Sequence, residues 1–206
     1  YIIQHCMFKF VPAGMHGQSA VECAFRLHPL VKDRLEDIDH VEIRTHAYLI
    51  DVMHKTGPLY NPADRDHCVQ YVVAVGLIHG RLEPRDFEDE VAADPRIDPL
   101  REKMVVAEDP RYTAGFFDPA IRSSANAIQV RFKDGSTTPT VEIEFPPGHQ
   151  RRQRPRRRDH RGTGRTHLMR PPIRGDDRRP PSCAQRLPHR LGSSDRRRSP
   201  ACDRPT

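Results

Sequence analysis

Three clusters of ionisable residues could take part in chemistry. In the first, Lys9 and His16 flank a loop with Pro12, Gly14 and Gly17, and this loop leads into a helix. The N-terminus of a helix favours anions, and a nearby cation strengthens that preference. A histidine can also transfer protons near neutral pH. The first cluster therefore predicts an anion site with acid–base chemistry. The alternative is a solvated lysine with a surface histidine near a helix cap.

The second cluster lies in the segment NPADRDH and consists of Asp64, Arg65, Asp66 and His67. An arginine can bind a carboxylate through two parallel hydrogen bonds, which makes Arg65 a candidate substrate ligand. We do not expect Asp66 to orient His67, because adjacent side chains on a helix do not face each other. The alternative is a charged helix start. The spacing of these residues matches no metal-binding signature, so we reject a metal site.

The third cluster is Gly148-His149, which is followed by Arg151 and Arg152. Taken by itself, this segment is a basic turn. The remaining histidines have no partners at informative spacings. The sequence also contains no P-loop, Rossmann fingerprint, GxSxG or HExxH motif, which leaves the common nucleotide, serine-hydrolase and zinc-protease signatures without a match.

Hydrophobic periodicity predicts the elements that must position these clusters. Residues 20–31 form an amphipathic helix with Ser19 and Glu22 as a capping box. Alternation over residues 41–45 predicts a half-buried strand. Residues 67–79 are apolar nearly all round, which favours a buried helix, with a strand as the alternative because of the valines.

The rest of the chain up to residue 150 completes a mixed domain. Short helices are predicted at residues 85–93 and 97–103. The segments ANAIQVRF and TVEIEF alternate on either side of Asp134-Gly135, which predicts a β-hairpin near the end of the domain. Helices, a hairpin and at least one more strand indicate an α+β fold.

Composition changes abruptly near residue 150. The whole chain has 34 Lys+Arg and 28 Asp+Glu, but residues 151–206 hold 18 Arg, 5 Asp and 8 Pro with no Lys, Glu or aromatic residue. Such a segment cannot offset chain entropy by burial, so we expect residues 1–150 to fold and residues 151–206 to form a disordered Arg/Pro-rich tail.

No apolar run approaches the roughly 20 residues of a membrane span. Five cysteines without a CxxC pair favour reduced thiols and a cytoplasmic location.

Several long segments carry a resemblance to the MmgE/PrpD family. They are KFVPAGMHGQSAVECAFRLH, VEIRTHAYLIDVMHKTGPLYNPADRDHCVQY, GRLEPRDFEDEVAADPRIDPLREKM, ANAIQVRFKDGS and FPPGHQRR, in this order. Together they cover about residues 1–152, and the chain resembles the second, C-terminal α+β domain of the family. The stretch NPADRDHC with DPRIDPLREK is long and unusual, which makes the match specific.

The resemblance implies a lyase that dehydrates a tricarboxylate, 2-methylcitrate, to 2-methyl-cis-aconitate in propionate catabolism, without a metal or organic cofactor. It implies catalytic roles for Lys9 and His16, and substrate-binding roles for Arg65, His67 and His149. It also implies a helical N-terminal domain that forms the other wall of the active site, and a homodimer as the intact protein. We therefore expect this chain to be an inactive fragment on its own.

Three other interpretations remain open. Decarboxylation of cis-aconitate occurs on the same fold, although the intact NPADRDHC stretch favours the dehydratase. An arginine-rich tail could bind nucleic acid non-specifically through phosphates, but it lacks Lys and stacking aromatics. A non-functional remnant is the third interpretation. The tail composition also matches out-of-frame reading of a GC-rich gene, which we favour as its origin.

Limited proteolysis tests the boundary that composition predicts. We expect trypsin to remove the arginine-rich tail rapidly and to leave a resistant fragment that ends near Gln150, because a segment with so few apolar residues cannot pack into a core that excludes the protease. Mass spectrometry of the resistant fragment gives its end point. A protected fragment that extends through residues 160–206 would contradict the prediction.

Overall fold

The described part of the chain, residues 6–153 of the computed structural model, folds around a four-stranded sheet in the order β2-β1-β3-β4. The strands are Ile38–Thr45 (β1), Met104–Glu108 (β2), Asn126–Phe132 (β3) and Val141–Ile143 (β4). The α-helices are Gln18–Val31 (α1), Ala47–Met53 (α2), Pro62–Asp66 (α3), Val69–His79 (α4), Asp89–Ala92 (α5), Ile97–Glu102 (α6), Pro110–Phe117 (α7) and Gln150–Gln153 (α8). The expected α+β class is confirmed. The predicted disorder of the tail concerns residues that lie almost entirely outside the described ones.

Strand β1 is central in the sheet, and its residues 41–45 alternate between buried and less buried side chains, as the sequence predicted. Val41 and Ile43 are fully buried and pair with Val130 and Ile128 of the antiparallel strand β3. Cross-strand pairs of this kind are the unit of sheet stabilisation, and they place one apolar face against the helices. On its other side, β1 pairs with β2 in parallel, so the sheet is mixed.

The predicted hairpin is present, but its second strand is shorter than expected. Strands β3 and β4 are antiparallel, and Gly135 adopts a positive φ of 83° in the connection. The sequence predicted a strand over residues 140–145, whereas β4 covers only Val141–Ile143. Pro146 and Pro147 follow closely, and proline has no N–H group to donate to a ladder, so pairing ends early.

Helix α1 confirms the predicted amphipathic helix, whereas the predicted capping box is wrong. The N-cap residue is Gly17, and no side chain caps this helix. The Ser19 hydroxyl instead donates to the carbonyl of Ser124 at 2.5 Å, and the Glu22 carboxylate accepts a hydrogen bond from Arg152 at 2.8 Å. Both side chains of the predicted cap therefore form hydrogen bonds with residues that are distant in the sequence.

Helix α4 is the buried helix expected over residues 67–79, and the alternative strand is excluded. Ten of its residues are buried, so it requires neighbours on every side. Helix α1 is one neighbour and α6 another. A Cβ atom on Gly76 would lie 2.8 Å from the Cβ of Ala24, which shows how closely α1 and α4 approach.

The shorter helices differ in detail from those that the sequence predicted. The predicted helix at residues 85–93 is divided into a 3-10 turn, Pro84–Phe87, and helix α5. Buried Asp86 accepts a hydrogen bond from the N–H of Glu83 at 2.7 Å, which stabilises the turn and separates it from α5. Helix α6 confirms the prediction at residues 97–103, but α2, α7 and α8 were not predicted. Within residues 6–153, no helix is long and apolar enough for a bilayer crossing.

The close contact between α1 and α4 makes a specific prediction about Gly76. Alanine has the higher helix propensity by about 1 kcal/mol, but the added methyl would collide with Ala24 in a packed core. We expect Gly76→Ala to lower the free energy of unfolding by about 1–3 kcal/mol in urea titrations. In the Ala24→Gly background, Gly76→Ala should be much less harmful. Independent, additive effects would contradict the proposed contact.

Candidate active site

The candidate site lies at the edge of the sheet where the parallel strands β1 and β2 end. Because the carboxyl ends of parallel strands meet at the same edge, the segments that follow them are brought together. Helix α2 follows β1 and helix α7 follows β2. The Asp109 N–H, at the start of α7, donates to the carbonyl of Thr45 at 2.8 Å, and the Ala47 N–H donates to the hydroxyl of Thr113 at 2.9 Å. These bonds fix α2 against α7.

His46 caps helix α2 and is fully buried. Its Nδ1 accepts a hydrogen bond from the N–H of Leu49 at 3.2 Å, so the proton of the neutral ring is on Nε2. Nε2 is buried and has no hydrogen-bond partner among the described residues. Burial, and to a smaller extent the charge of His16, lower the pKa of His46 to about 4. His46 is therefore neutral at physiological pH.

Four rings form an aromatic cluster at this edge. His46 stacks on Phe116 with ring centroids 4.2 Å apart, and Tyr48 stacks on the same ring at 5.5 Å. The ring of His16 is nearly perpendicular to all three, at 5.0–5.4 Å. Edge-to-face packing of this type favours one ring orientation, so the cluster fixes how the His16 imidazole is presented.

The loop that carries His16 is held from several directions. The carbonyl of His16 accepts a hydrogen bond from Nδ2 of Asn126 at 3.1 Å, and the N–H of Gly14 donates to the carbonyl of Asp66 at 2.9 Å. A Cβ atom at Gly14 would lie 2.8 Å from the sulfur of Met53, so glycine lets the loop approach the Met53 side chain closely. These contacts join the loop to β3, α3 and α2 at the same point.

His16 has the electrostatic character of a proton-transfer group that is neutral at rest. Burial lowers the pKa of His16, and the nearby charge of His67 lowers it further. The Nδ1 atom is buried without a hydrogen-bond partner among the described residues. A neutral imidazole beside a cavity can accept a proton or donate a hydrogen bond, which agrees with the predicted acid–base role.

His67 lies near His16 and contacts Asp66 directly. The His67 Nδ1 lies 2.5 Å from a carboxylate oxygen of Asp66. We expected no such contact because neighbours on a helix point apart, and that expectation was wrong. Helix α3 ends at Asp66, and His67 has φ −105° and ψ 28°, outside the helical region, so the two side chains are free to meet. The contact with the carboxylate fixes the orientation of the His67 ring, whose other nitrogen can hydrogen-bond to a ligand.

Arg65 does not join this group. Its Nη1 donates to the carbonyl of Phe87 at 2.6 Å, and its Nη2 forms an ion pair with Asp89 at 2.7 Å. The side chain is only 7% exposed, and it lines a separate cavity with Leu59 and Tyr71. The guanidinium therefore anchors α3 to the turn before α5 and to Asp89, and the predicted substrate contact of Arg65 stays a prediction.

The predicted site residues His149 and Lys9 occupy different environments. His149 Nε2 donates to the carbonyl of Arg122 at 3.0 Å, and Nδ1 accepts from the N–H of Arg151 at 3.2 Å. Both ring nitrogens are occupied, and direct substrate binding by His149 stays a prediction. Lys9 is exposed and has no hydrogen-bond or ion-pair partner within residues 6–153, which leaves its ammonium available to an anion. The side chain of Gln18 anchors the segment after Lys9.

A cavity of about 330 Å³ opens beside His16. Its walls come mainly from the end of α7, the segment before β3 and the His16 loop, and include Phe116, Phe117, Arg122, Ser123 and Ser124. No set of three or more His, Cys, Asp or Glu side chains in residues 6–153 is grouped to hold a metal ion. The cavity thus combines an apolar wall with one imidazole, one guanidinium and two hydroxyl groups.

Comparison with known proteins assigns the family. Residues 11–161 match the MmgE/PrpD C-terminal domain. The chain belongs to the MmgE/PrpD family. It is 50% identical over 157 residues to 2-methylcitrate dehydratase of Salmonella typhimurium, an alignment that covers 74% of this chain and 32% of that relative. The enzyme of the same name from Escherichia coli K12 is 48% identical with the same coverage, and the mitochondrial one from Yarrowia lipolytica is 44% identical, with 30% of its length covered. The chain spans about a third of the length of these curated relatives.

This MmgE/PrpD domain has further candidate site residues that the sequence reasoning missed. They are His46, Tyr48, Phe116 and Arg122. One signal was present for two of them, because His46 and Tyr48 directly follow the alternating residues of β1, and strand ends are common positions for site residues in sheets with parallel strands. No comparable signal marked Phe116 or Arg122, since α7 was not predicted.

The buried neutral state of His46 predicts a pH-dependent stability. Between pH 6.5 and about 4, the unfolded chain protonates this histidine and the folded chain does not, so the free energy of unfolding should fall as pH falls through this window. The contribution of His46 is on the order of 3 kcal/mol. His46→Asn keeps an N-cap acceptor without the titration, so its loss of stability between pH 7 and pH 4 in urea titrations should be smaller.

His40→Asn is the matched control, because His40 lies on β1, the strand that ends just before His46, and is partly exposed. The free energy of unfolding of this variant should fall between pH 7 and pH 4 by the same amount as that of the wild-type chain. Equal losses in the chain with and without His46 would contradict the assignment of a buried, neutral His46.

Proposed function

We propose that this chain is the C-terminal part of a 2-methylcitrate dehydratase, a hydro-lyase that converts 2-methylcitrate to 2-methyl-cis-aconitate and water in propionate catabolism. The identity of 50% over 157 residues to a relative of that name carries the proposal. The placement of His16 beside a cavity supports it, because the reaction needs a positioned proton-transfer group.

The chemistry requires three kinds of group. A base takes a proton from the carbon next to a carboxylate, the electron pair of that C–H bond forms the double bond, and an acid protonates the departing hydroxyl, which leaves as water. Cations stabilise the negative charge that develops and bind the three carboxylates. In this chain, the neutral imidazole of His16 is our candidate for proton transfer, with Lys9 as the second catalytic candidate. His67 is the candidate substrate-binding residue beside them.

The proposed partner is the helical N-terminal domain of the family. This chain covers only 32% of the Salmonella relative, which leaves about two thirds of that protein's length for other parts. Several large apolar side chains on this domain are exposed, namely Phe8, Phe10, Tyr48 and Phe117. Tyr48 packs on His16 and Phe117 lines the His16 cavity, so a domain that covers these rings would also close the site. A homodimer and a cytoplasmic location are parts of the same proposal.

The competing functions have less support. The relatives described above carry the name dehydratase, which favours dehydration over decarboxylation of cis-aconitate. Nucleic-acid binding was proposed from the arginine-rich tail, and that segment lies outside the described residues from residue 154 onward. We therefore retain the dehydratase as the proposed function.

A chimera tests the proposed function. We expect the chain alone to show no turnover of 2-methylcitrate, since one wall of the site is missing and a misplacement of about 1 Å can cost on the order of 100-fold. Fusion of residues 1–152 to the N-terminal two thirds of the Salmonella relative should restore turnover. His16→Ala in the chimera should then lower kcat by about 100-fold or more. Ultraviolet absorbance of the conjugated product measures the rate.

His40→Ala in the same chimera is the control, because it removes a histidine from the opposite end of strand β1. It should retain nearly full activity. A well-folded chimera without turnover, or a His16→Ala variant as active as the control, would refute the proposed role of this domain.

A further inference from the structure

Arg122 has an unusual backbone conformation. It is the only non-glycine residue in the described part of the chain with a positive φ, at 51°. A side chain in this region costs about 1–2 kcal/mol, and glycine avoids the cost. Non-glycine residues in such conformations cluster at ligand-binding sites, where the geometry of the side chain outweighs the strain. The presence of arginine instead of glycine therefore calls for a role of the side chain.

Backbone contacts on both sides hold this conformation. The N–H of Arg122 donates to the carbonyl of Asp118 at 2.8 Å, and its carbonyl accepts the hydrogen bond from Nε2 of His149. His149 is itself fixed, since the N–H of Arg151 donates to its Nδ1 and its ring packs on Phe145 at a centroid distance of 4.6 Å. The imidazole thus holds the backbone of Arg122 from a segment 27 positions further along the chain.

Arg122 lines two cavities, which share it as part of their walls. It lines the 330 Å³ cavity with His16, Ser123 and Ser124, and it also lines a second cavity of about 500 Å³ with His149 and Arg151. It is exposed and has no ion pair or side-chain hydrogen bond among the described residues. Ten of the thirteen described arginines do form ion pairs, and the exceptions are Arg122, Arg131 and Arg151. Arg122 therefore has donors free beside the candidate catalytic histidine.

We propose that Arg122 binds a carboxylate group of the substrate beside His16, and that His149 is a positioning residue that holds the Arg122 backbone. The inference rests on the proposed function for the identity of the substrate. A guanidinium offers two parallel N–H donors to a carboxylate, which fixes the orientation of the ligand as well as its charge. The Ser123 hydroxyl on the same wall can donate to a remaining oxygen, whereas the Ser124 hydroxyl already donates to the carbonyl of His16 at 3.5 Å. His149 then acts on the substrate only through Arg122.

The experiment uses this chain and propane-1,2,3-tricarboxylate as the probe, with NMR signals of the His16 ring and the Ser124 amide as the readout. We expect saturable shifts below about 50 mM probe, which is the weak affinity expected of an open half-site. Arg122→Gln should weaken binding by at least tenfold, and Arg122→Lys should retain part of the affinity. The control is Arg131→Gln, which removes an exposed arginine of β3 that also lacks an ion pair, and it should change affinity by less than twofold.

Arg122→Gly separates the side chain from the backbone. It should weaken binding as much as Arg122→Gln does, while the urea midpoint stays the same or rises because the strain is relieved. His149→Gln keeps a donor for the Arg122 carbonyl and should retain affinity, whereas His149→Phe keeps only the ring and should weaken it. In the Arg122→Gln background, His149→Phe should have no further effect on binding.

Four outcomes would overturn the inference. They are no saturable shift in the wild-type chain, equal weakening by Arg131→Gln, retained affinity in Arg122→Gly, and an effect of His149→Phe that persists without Arg122. None of them removes the proposed dehydratase function, which is tested separately by turnover of the chimera. Conversely, a chimera without turnover leaves the binding result of the isolated chain unchanged.

Discussion

The parallel pairing of β1 with β2 is the constraint on which the rest of the candidate site depends. The two strands run in register from Val41–Met104 to Thr45–Glu108, so they end side by side. The chain must then continue from both ends at one edge of the sheet, and it does so with α2 and α7. An antiparallel arrangement would have sent these helices to opposite edges, and His46 would not stack on Phe116.

Burial at this edge determines the chemistry that the histidines can perform. His46 is removed from water and its Nδ1 accepts a hydrogen bond, so it remains neutral and holds the start of α2. His16 is partly buried and close to a second histidine, and both effects favour its neutral form. The same desolvation that stabilises the aromatic cluster therefore keeps a proton acceptor available near neutral pH. The cationic side chains proposed to bind the carboxylates, Lys9 and Arg122, are exposed and remain solvated by water.

Two arginines that look equally suitable for ligand binding in the sequence have different environments in the structure. Arg65 is in the more distinctive motif, but its guanidinium donates to the carbonyl of Phe87 and forms an ion pair with Asp89. Arg122 lies in an unremarkable segment, and its guanidinium has no such partners in the described residues. The two residues differ in their burial and in the carboxylates that the fold brings near them. A motif records that an arginine is present, whereas partners at long sequence separation determine what its charge does.

The sequence by itself determined the elements with strong local signals and the family. Alternation in β1 and β3, the all-round apolar character of α4 and the Asp-Gly turn are local patterns, and each produced the predicted element. Tertiary structure alone decided the capping of α1, the meeting of Asp66 with His67 and the cluster around His16. The first and the last of these features depend on contacts such as Ser19 with Ser124 and His16 with Phe116, between residues about 100 positions apart. Local periodicity contains no information about such pairs, because they exist only after the sheet has set which chain ends are neighbours.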